Sequence, residues 1–371
     1  MKEFNCSVYR GGTSKALCFL ERDLPEKSRW DDFLCEAMGG YTKQIDGMGG
    51  ANSLTSKVAI ISAADDCINY TFAQVAIDKN VVDYKSNCGN ISSCVGPFAY
   101  DSGLIKDEML FKDECDENHI CLRIFNTNTK KYIKSRFKIK DNLFDEEGNH
   151  QIAGVPGSAS KIEISFLNPE GSLGKGLLPT KKQIQTIQTS FGQIQISIID
   201  AGAALVFIQA RDVLKNMLYD EISQEELDKI EEIRSIASEI LGLANRKEAT
   251  YKNPAVPKAA LVDFSYDYLD MNGQLITKHD SNVAIRMMSM QKPHQAIAIT
   301  GTVCIAMASK LKDTLVYKHL KNCESNILKI SHPSGIIECE VLDNEVKITR
   351  TARRLMKGFI YTKSNFIRAI L

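Results

Sequence analysis

Two side chains able to exchange protons stand out by their settings. Cys88 lies in Asn87-Cys88-Gly89-Asn90, at the head of an apolar run over 87–104. Asn87 reads as the cap of a helix, with Cys88 in its first turn. There the unpaired N–H groups and the helix dipole stabilise a thiolate, and such a thiol can serve as an acid or a base. Gly89 would let a ligand approach the backbone. The other ten cysteines lack this setting and read as buried packing residues. Lys57 closes the segment QIDGMGGANSLTSK (44–57) and precedes the apolar Val58-Ala59-Ile60-Ile61. At the edge of a core, desolvation favours the neutral amine that a base needs. A surface lysine lying over apolar neighbours would give the same local pattern. The glycines of 44–57 match neither a P-loop nor a dinucleotide fingerprint.

Other residues could hold an anion. Arg10-Gly11-Gly12-Thr13-Ser14-Lys15 interrupts an apolar strand pattern over 8–20. Arg10 could take a carboxylate through two parallel bonds, with Thr13, Ser14 and Lys15 as further donors. Thr300-Gly301-Thr302 opens a second apolar helix pattern over 300–311 and offers N–H groups and hydroxyls in the same way. Ordinary capping is the simpler local reading there. The segment 280–295 reads as a methionine-rich helix carrying Arg286, Gln291 and His294, its methionines in the core. Arg350, Arg353 and Arg354 read as solvated or as facing another subunit.

The elements that must position these residues follow from pattern. Alternation marks strands at 67–77, 120–128, 131–139, 161–167, 193–200, 204–210, 335–341 and 345–350. The clearest helix is 224–241, with Ser223 and Glu226 as a capping box and Gly242 as its stop. Gly96-Pro97 predicts a kink or an early end in the helix after Cys88. The helices at 87–104 and 300–311 look like equivalent parts of two halves, although their sequences are too different to define a repeat. The polar, acidic stretch 141–154 is the expected break between them.

At 371 residues the chain is long enough for two domains. Its 46 basic and 46 acidic residues cancel, which argues against an extended nucleic-acid surface. The odd cysteine count and the lack of any CxxC pair give no support to a disulfide framework or a metal site. The N-terminal MKEFNCSVYRGG has no apolar signal segment, and no run approaches the roughly 20 residues of a membrane span. A cytoplasmic protein with no membrane partner is expected.

Together the motifs resemble a known family. RGGTSK (10–15), QIDGMGGANSLTSK (44–57), YTFAQVAI (70–77), NCGNISSCVGPFA (87–99), NTNTKK (126–131), LLPT (177–180), HPSG (332–335) and RTARRLMKG (350–358) resemble the 2-methylaconitate isomerase, or PrpF, family. That family includes methylitaconate delta-isomerase and 4-oxalomesaconate tautomerase. The resemblance implies an α/β (α+β) fold like that of diaminopimelate epimerase. It has two similar domains, each a curled, mainly antiparallel sheet around a central helix, with the active site in the cleft between them. It implies a first domain over 1–148 plus 358–371 and a second over 149–357. It implies an allylic proton shift or cis-trans isomerisation in a small unsaturated di- or tricarboxylate, without metal or organic cofactor. Lys57 and Cys88 would be the catalytic pair. Arg10, Thr13, Ser14, Lys15, Asn87, Gly89, Asn90, Arg286, Thr300, Gly301 and Thr302 would bind substrate, and a homodimer is left open. In racemases of this fold a second cysteine opens the second domain's helix; here Thr300 is expected in its place. Ala203-Ala204 replaces the Asn-Pro common in the family, which bears on the choice of substrate. The alternatives are a polycarboxylate-binding accessory protein for an aconitase-type enzyme, or a racemase or epimerase.

Overall fold

The computed structural model describes residues 2–40, 42–84, 87–321 and 325–363. It divides into two compact units, Met1–Leu167 with Thr349–Leu371, and Asn168–Ile348.

The first unit opens with β1 (Lys2–Gly11) and β2 (Ser14–Leu20), then α1 (Trp30–Met38). There follow β3 (Lys57–Ala63), β4 (Ile68–Val75), the short β5 (Val82–Asp83) and α2 (Gly89–Asp101). It continues with β6 (His119–Asn126), β7 (Lys131–Lys140), the short β8 (Leu143–Phe144) and β9 (Ile162–Leu167). The second unit contains β10 (Gln185–Thr189), β11 (Gly192–Ala201), β12 (Ala203–Gln209), α3 (Gln224–Ile240), the one-turn α4 (Ala249–Lys252) and β13 (Lys258–Asp263). A small hairpin, β14 (Tyr268–Leu269) and β15 (Leu275–Ile276), precedes β16 (Val283–Ser289) and β17 (Lys292–Pro293). Next come α5 (Ile299–Ser309), α6 (Leu315–Lys318), β18 (Ile327–His332), β19 (Gly335–Val341) and β20 (Glu345–Arg350). The chain then returns to the first unit as β21 (Ala352–Thr362), antiparallel to β1. Of the returning strand expected over 358–371, the part to Thr362 ends β21, and 364–371 lies outside the described residues.

The repeat that sequence identity hides is plain in the topology. The first unit's strands run in the order β21-β1-β2-β3-β4-β6-β7-β9. Their successive pairings are antiparallel, antiparallel, parallel, antiparallel, parallel, antiparallel and antiparallel. The second unit's order β10-β11-β12-β13-β16-β18-β19-β20 repeats that sequence of directions throughout. In each unit one helix enters just before the second parallel step, α2 ahead of β6 and α5 ahead of β18. Every residue from Gly89 to Ala99 is buried. In α5 every residue but Met307 is buried. Helices buried on all sides need cover on all sides. For α2 that cover comes from β21, β1, β2, β3, β7, β8 and β9, so the first sheet curls around it. The opposite face of that sheet carries Phe4, Val8, Leu17, Phe19, Val58 and Ile60 against Trp30, Phe33 and Leu34 of α1. In the second unit α3 covers the outer face through Ile230, Ile233, Ile236 and Ala237.

Three local expectations need correction. Of the kink or early end expected at Gly96-Pro97, the early end does not occur, and α2 continues to Asp101. The glycine before Pro97 is there for packing: a Cβ on Gly96 would come within 2.6 Å of Ser135 Oγ and 2.8 Å of the Phe137 ring. The segment 280–295 is not a helix but strand β16, a turn at Met290-Gln291 with φ of 51° and 62°, and strand β17. Met287 and Met288 are buried on opposite faces of the strand, whereas Met290, in the turn, is exposed and not in the core. A two-residue period overrides helix propensity once neighbours pair on both sides. The arginines of 350–358 are not all solvated: Arg350 is buried, and Arg354 pairs with Asp101 at 3.0 Å. Among the described residues no helix is long and apolar enough to cross a membrane.

Candidate active site

The β1–β2 hairpin sets the site's floor. Gly11 pairs with Ser14, and Gly12 turns the chain at φ 50°. These glycines let the hairpin press on the start of α2. A Cβ on Gly11 would lie 2.6 Å from Asn90 O, and one on Gly12 would lie 2.2 Å from Asn90 Oδ1. Asn90 Nδ2 donates to Thr13 Oγ1 at 3.1 Å. The cap of α2 is Cys88 itself, with extended backbone (φ −121°, ψ 99°), rather than Asn87. Asn87 is held from the other side, where Asn126 Nδ2 donates to its Oδ1 at 2.9 Å. Asn126 is fully buried and its own Oδ1 accepts from Asn128 N, Thr129 N and Thr129 Oγ1. The half-buried Cys88 thiol lies 3.9 Å from Ser14 Oγ.

Lys57 enters the same sheet face through register. Directly paired strand residues share a face, and side chains alternate along each strand. Ala16 pairs with Lys57 across the parallel β2–β3 ladder, and Ser14 is two residues before Ala16. Ser14, Ala16 and Lys57 therefore share the α2 face. Farther along that face, Cys18 Sγ lies 4.0 Å from Cys94 Sγ of α2. Lys57 is buried, 7% exposed, yet Nζ donates to Gln74 Oε1 at 2.6 Å and sits 5.2 Å from the Phe72 ring centroid. Gln74 is in register with Lys57, and its Nε2 donates to Ser56 O at 2.9 Å. The glycine-rich loop before Lys57 is largely exposed over 45–52 but is tied down at Gly47 and Gln44. A Cβ on Gly47 would fall 2.1 Å from Gly39 N, and Gln44 Oε1 accepts from Ser56 Oγ at 2.5 Å. Tyr70, fully buried on this face, has its phenol pushed well above its ordinary range by burial, with Cys88, Cys94 and Cys18 adding to the effect.

The same alternation separates residues that the sequence groups together. Arg10 pairs with Lys15 and with Arg353, on the face opposite Ser14. Arg10 Nη1 donates to Gly12 O, Thr351 O and Thr351 Oγ1, each at 3.0 Å. Its guanidinium thus braces the glycine turn. Burial lowers its pKa, and Arg353 adds to this. The Lys15 backbone N–H donates to Leu54 O of the glycine-rich loop.

In the second unit, Thr300, Gly301 and Thr302 are the second to fourth residues of α5. The residue that caps α5 as Cys88 caps α2 is Ala298, not Thr300. Thr302 N donates to Ala298 O just as Ser92 N donates to Cys88 O. Gly301 gives room to Met287, whose Cε would lie 1.9 Å from an added Cβ. Met287 thus faces α5, and Arg286, its neighbour on β16, faces the other way. Arg286 Nη1 donates to Leu218 O and Asp220 O, and burial lowers its pKa. Arg286 is therefore not grouped with the 300–302 turn. Ala203 and Ala204 begin β12 straight after the Gly202 turn (φ 65°).

Gln74, Phe72, Asn126 and Ser56 were not singled out from the sequence. For Gln74 a signal existed: in Tyr70-Thr71-Phe72-Ala73-Gln74 it is the polar member of a line otherwise made of aromatics.

A crystal structure of methylitaconate-delta-isomerase superposes with a TM-score of 0.80 at 35% identity, covering 98% of this chain and 96% of that one. It shares the diaminopimelate-epimerase-like architecture. The protein YraM of Bacillus subtilis (strain 168) is 43% identical over 99% of both chains. The 2-methyl-aconitate isomerase of Shewanella oneidensis is 33% identical over 95% of this chain and 94% of its own. The family model described as PrpF protein matches residues 1–363, and with these identities over nearly full length the chain belongs to the PrpF family.

Proposed function

We propose that this protein is a cofactor-independent isomerase that moves a proton along the allylic system of a small unsaturated di- or tricarboxylate such as 2-methylaconitate or methylitaconate. The observation that carries the reading is the placement of Lys57, hydrogen-bonded to a neutral amide, on the sheet face that also receives the cap residue Cys88.

One member of the pair removes a proton from the carbon next to the double bond. The electron pair of that C–H bond becomes the new π bond, and the former π pair shifts toward the far carbon. The other member returns a proton there, so the net change is a 1,3-shift. Negative charge that develops toward a carboxylate is stabilised by unpaired N–H groups at the start of α2, with Thr13 and Ser14 as added donors. Arg10 acts behind them by fixing the Gly12 turn. The reading gives Arg286 no chemical step.

A two-thiol racemase is disfavoured because Ala298 stands where a second cap thiol would be needed. A mere binding protein has no use for a cap thiol facing the same sheet face as a buried lysine.

Incubation with 2-methylaconitate, methylitaconate and 4-oxalomesaconate in deuterated water tests the proposal. Isomerisation with deuterium uptake in at least one is expected. Inertness toward all three, with no exchange, would overturn it.

A further inference from the structure

We propose that Gln74 is a positioning residue for Lys57, fixing the direction of the amine while leaving it able to exist with or without its extra proton. The inference rests on the reading of Lys57 as a proton-exchanging group. Gln74 lies between two partners that constrain it. Ser56 O can only accept, so the Gln74 Nε2 hydrogens must face it, at 2.9 Å. The other end of the amide, Oε1, is thereby turned toward Lys57 Nζ, at 2.6 Å. Lys57 must then always give a hydrogen to Gln74. In the neutral amine the lone pair points away from that bond, and this is the direction a base needs.

The charge of the partner matters as much as its geometry. The register across four strands is Ala16, Lys57, Gln74, Asp83. Gln74 thus stands between the lysine and the carboxylate on β5. A carboxylate in direct contact would hold the lysine as an ammonium; an amide accepts from either form. The other titratable and charged groups on this face include Tyr9 of β1, Arg354 of β21, Cys18 of β2, Tyr70 of β4, and Cys88, Cys94 and Asp101 at and within α2. The Phe72 ring centroid, 5.2 Å from Nζ, is a second neighbour of the amine. Ser56 is in turn secured by Gln44, so the chain Gln44–Ser56–Gln74–Lys57 runs from the buried end of the loop to the amine.

The test compares the parent protein with Lys57→Ala, Gln74→Leu and Gln74→Glu. Turnover of 2-methylaconitate, methylitaconate and 4-oxalomesaconate is followed against pH. Competitive acetylation by acetic anhydride, read at the Lys57 peptide by mass spectrometry, gives the lysine's protonation midpoint without turnover. Thermal melts check folding. Gln74→Leu should lower kcat about 10- to 100-fold with little change in KM, because the amine is misdirected while the carboxylate donors stay. Gln74→Glu should move the Lys57 limb of the pH profile, and the acetylation midpoint, upward by about one to two pH units. Should Gln74→Leu fail to fold, Gln74→Glu and the acetylation readout decide. Parent-like kcat, pH profile and midpoint in the folded Gln74 variants, with Lys57→Ala inactive, would overturn this inference alone. Full turnover by Lys57→Ala would overturn the role of Lys57, and this inference with it.

Discussion

Cys88 Sγ lies 3.9 Å from Ser14 Oγ, and two residues beyond Ser14 the same strand is in register with Lys57. Strand β2 therefore links thiol and amine on one rigid support. Cys88→Ser keeps the shape but loses an accessible anion, and Lys57→Ala loses the amine. Each should reduce turnover about 100-fold or more, while affinity for a non-reactive substrate analogue, measured by calorimetry, is retained. Cys94→Ala removes a buried sulfur beside Cys18 and should cost only about 1 kcal/mol of stability. Equal loss of turnover in Cys94→Ala and Cys88→Ser, both folded, would mean that the working thiol had been misassigned.

The glycine turn presses directly on the start of α2. Gly12→Ala meets Asn90 Oδ1 at 2.2 Å from a backbone with φ of 50°. The expected loss is about 1–3 kcal/mol, from overpacking and left-handed strain. Because the strain enters at the second residue of α2, the rate of Cys88 alkylation by iodoacetamide should change as well. A melting-temperature drop with an unchanged alkylation rate would confine the effect to the hairpin.

Asn126 joins two segments through one buried amide. Asn126→Ala removes the donor to Asn87 and the acceptor of three turn groups. Buried polar groups left unmatched should cost about 2 kcal/mol in denaturant unfolding. Turnover should fall further than in a surface variant of equal stability, since Asn87 precedes the cap thiol.

The capping box of α3 gives a pH-dependent term. Hydrogen bonds from the Ser223 side chain, then from the Lys215 backbone, hold the Glu226 carboxyl below its usual range. A carboxyl depressed in the fold stabilises it above its unfolded value of about 4.3. That contribution fades as pH falls from there through the folded value. Acid unfolding of the parent should therefore be steeper below about pH 4.3 than that of Glu226→Gln. Ser223→Ala should cost about 1 kcal/mol at neutral pH.

The sequence alone determined what depends on near neighbours. The α3 capping box spans four residues, so Ser223 and Glu226 could be paired on sight, and the structure has both bonds. Strand periods at 120–128, 131–139 and 193–200 likewise express a local alternation, and strands stand there. Cys88 and Lys57 were distinguished by flanking residues that already encode a helix start and a core edge. Tertiary structure decided what depends on register and facing. Arg10, Ser14 and Lys15 lie within six residues of one hairpin, yet a one-residue step along a strand sends a side chain to the other face. Arg10 therefore braces a turn, Ser14 meets the thiol, and Gln74, seventeen residues from Lys57, becomes its partner. The segment 280–295 chose strand over helix only because β13 and β18 pair with β16 from either side. Such pairings join residues far apart in the chain, and their energies reside in contacts that no local window of sequence contains.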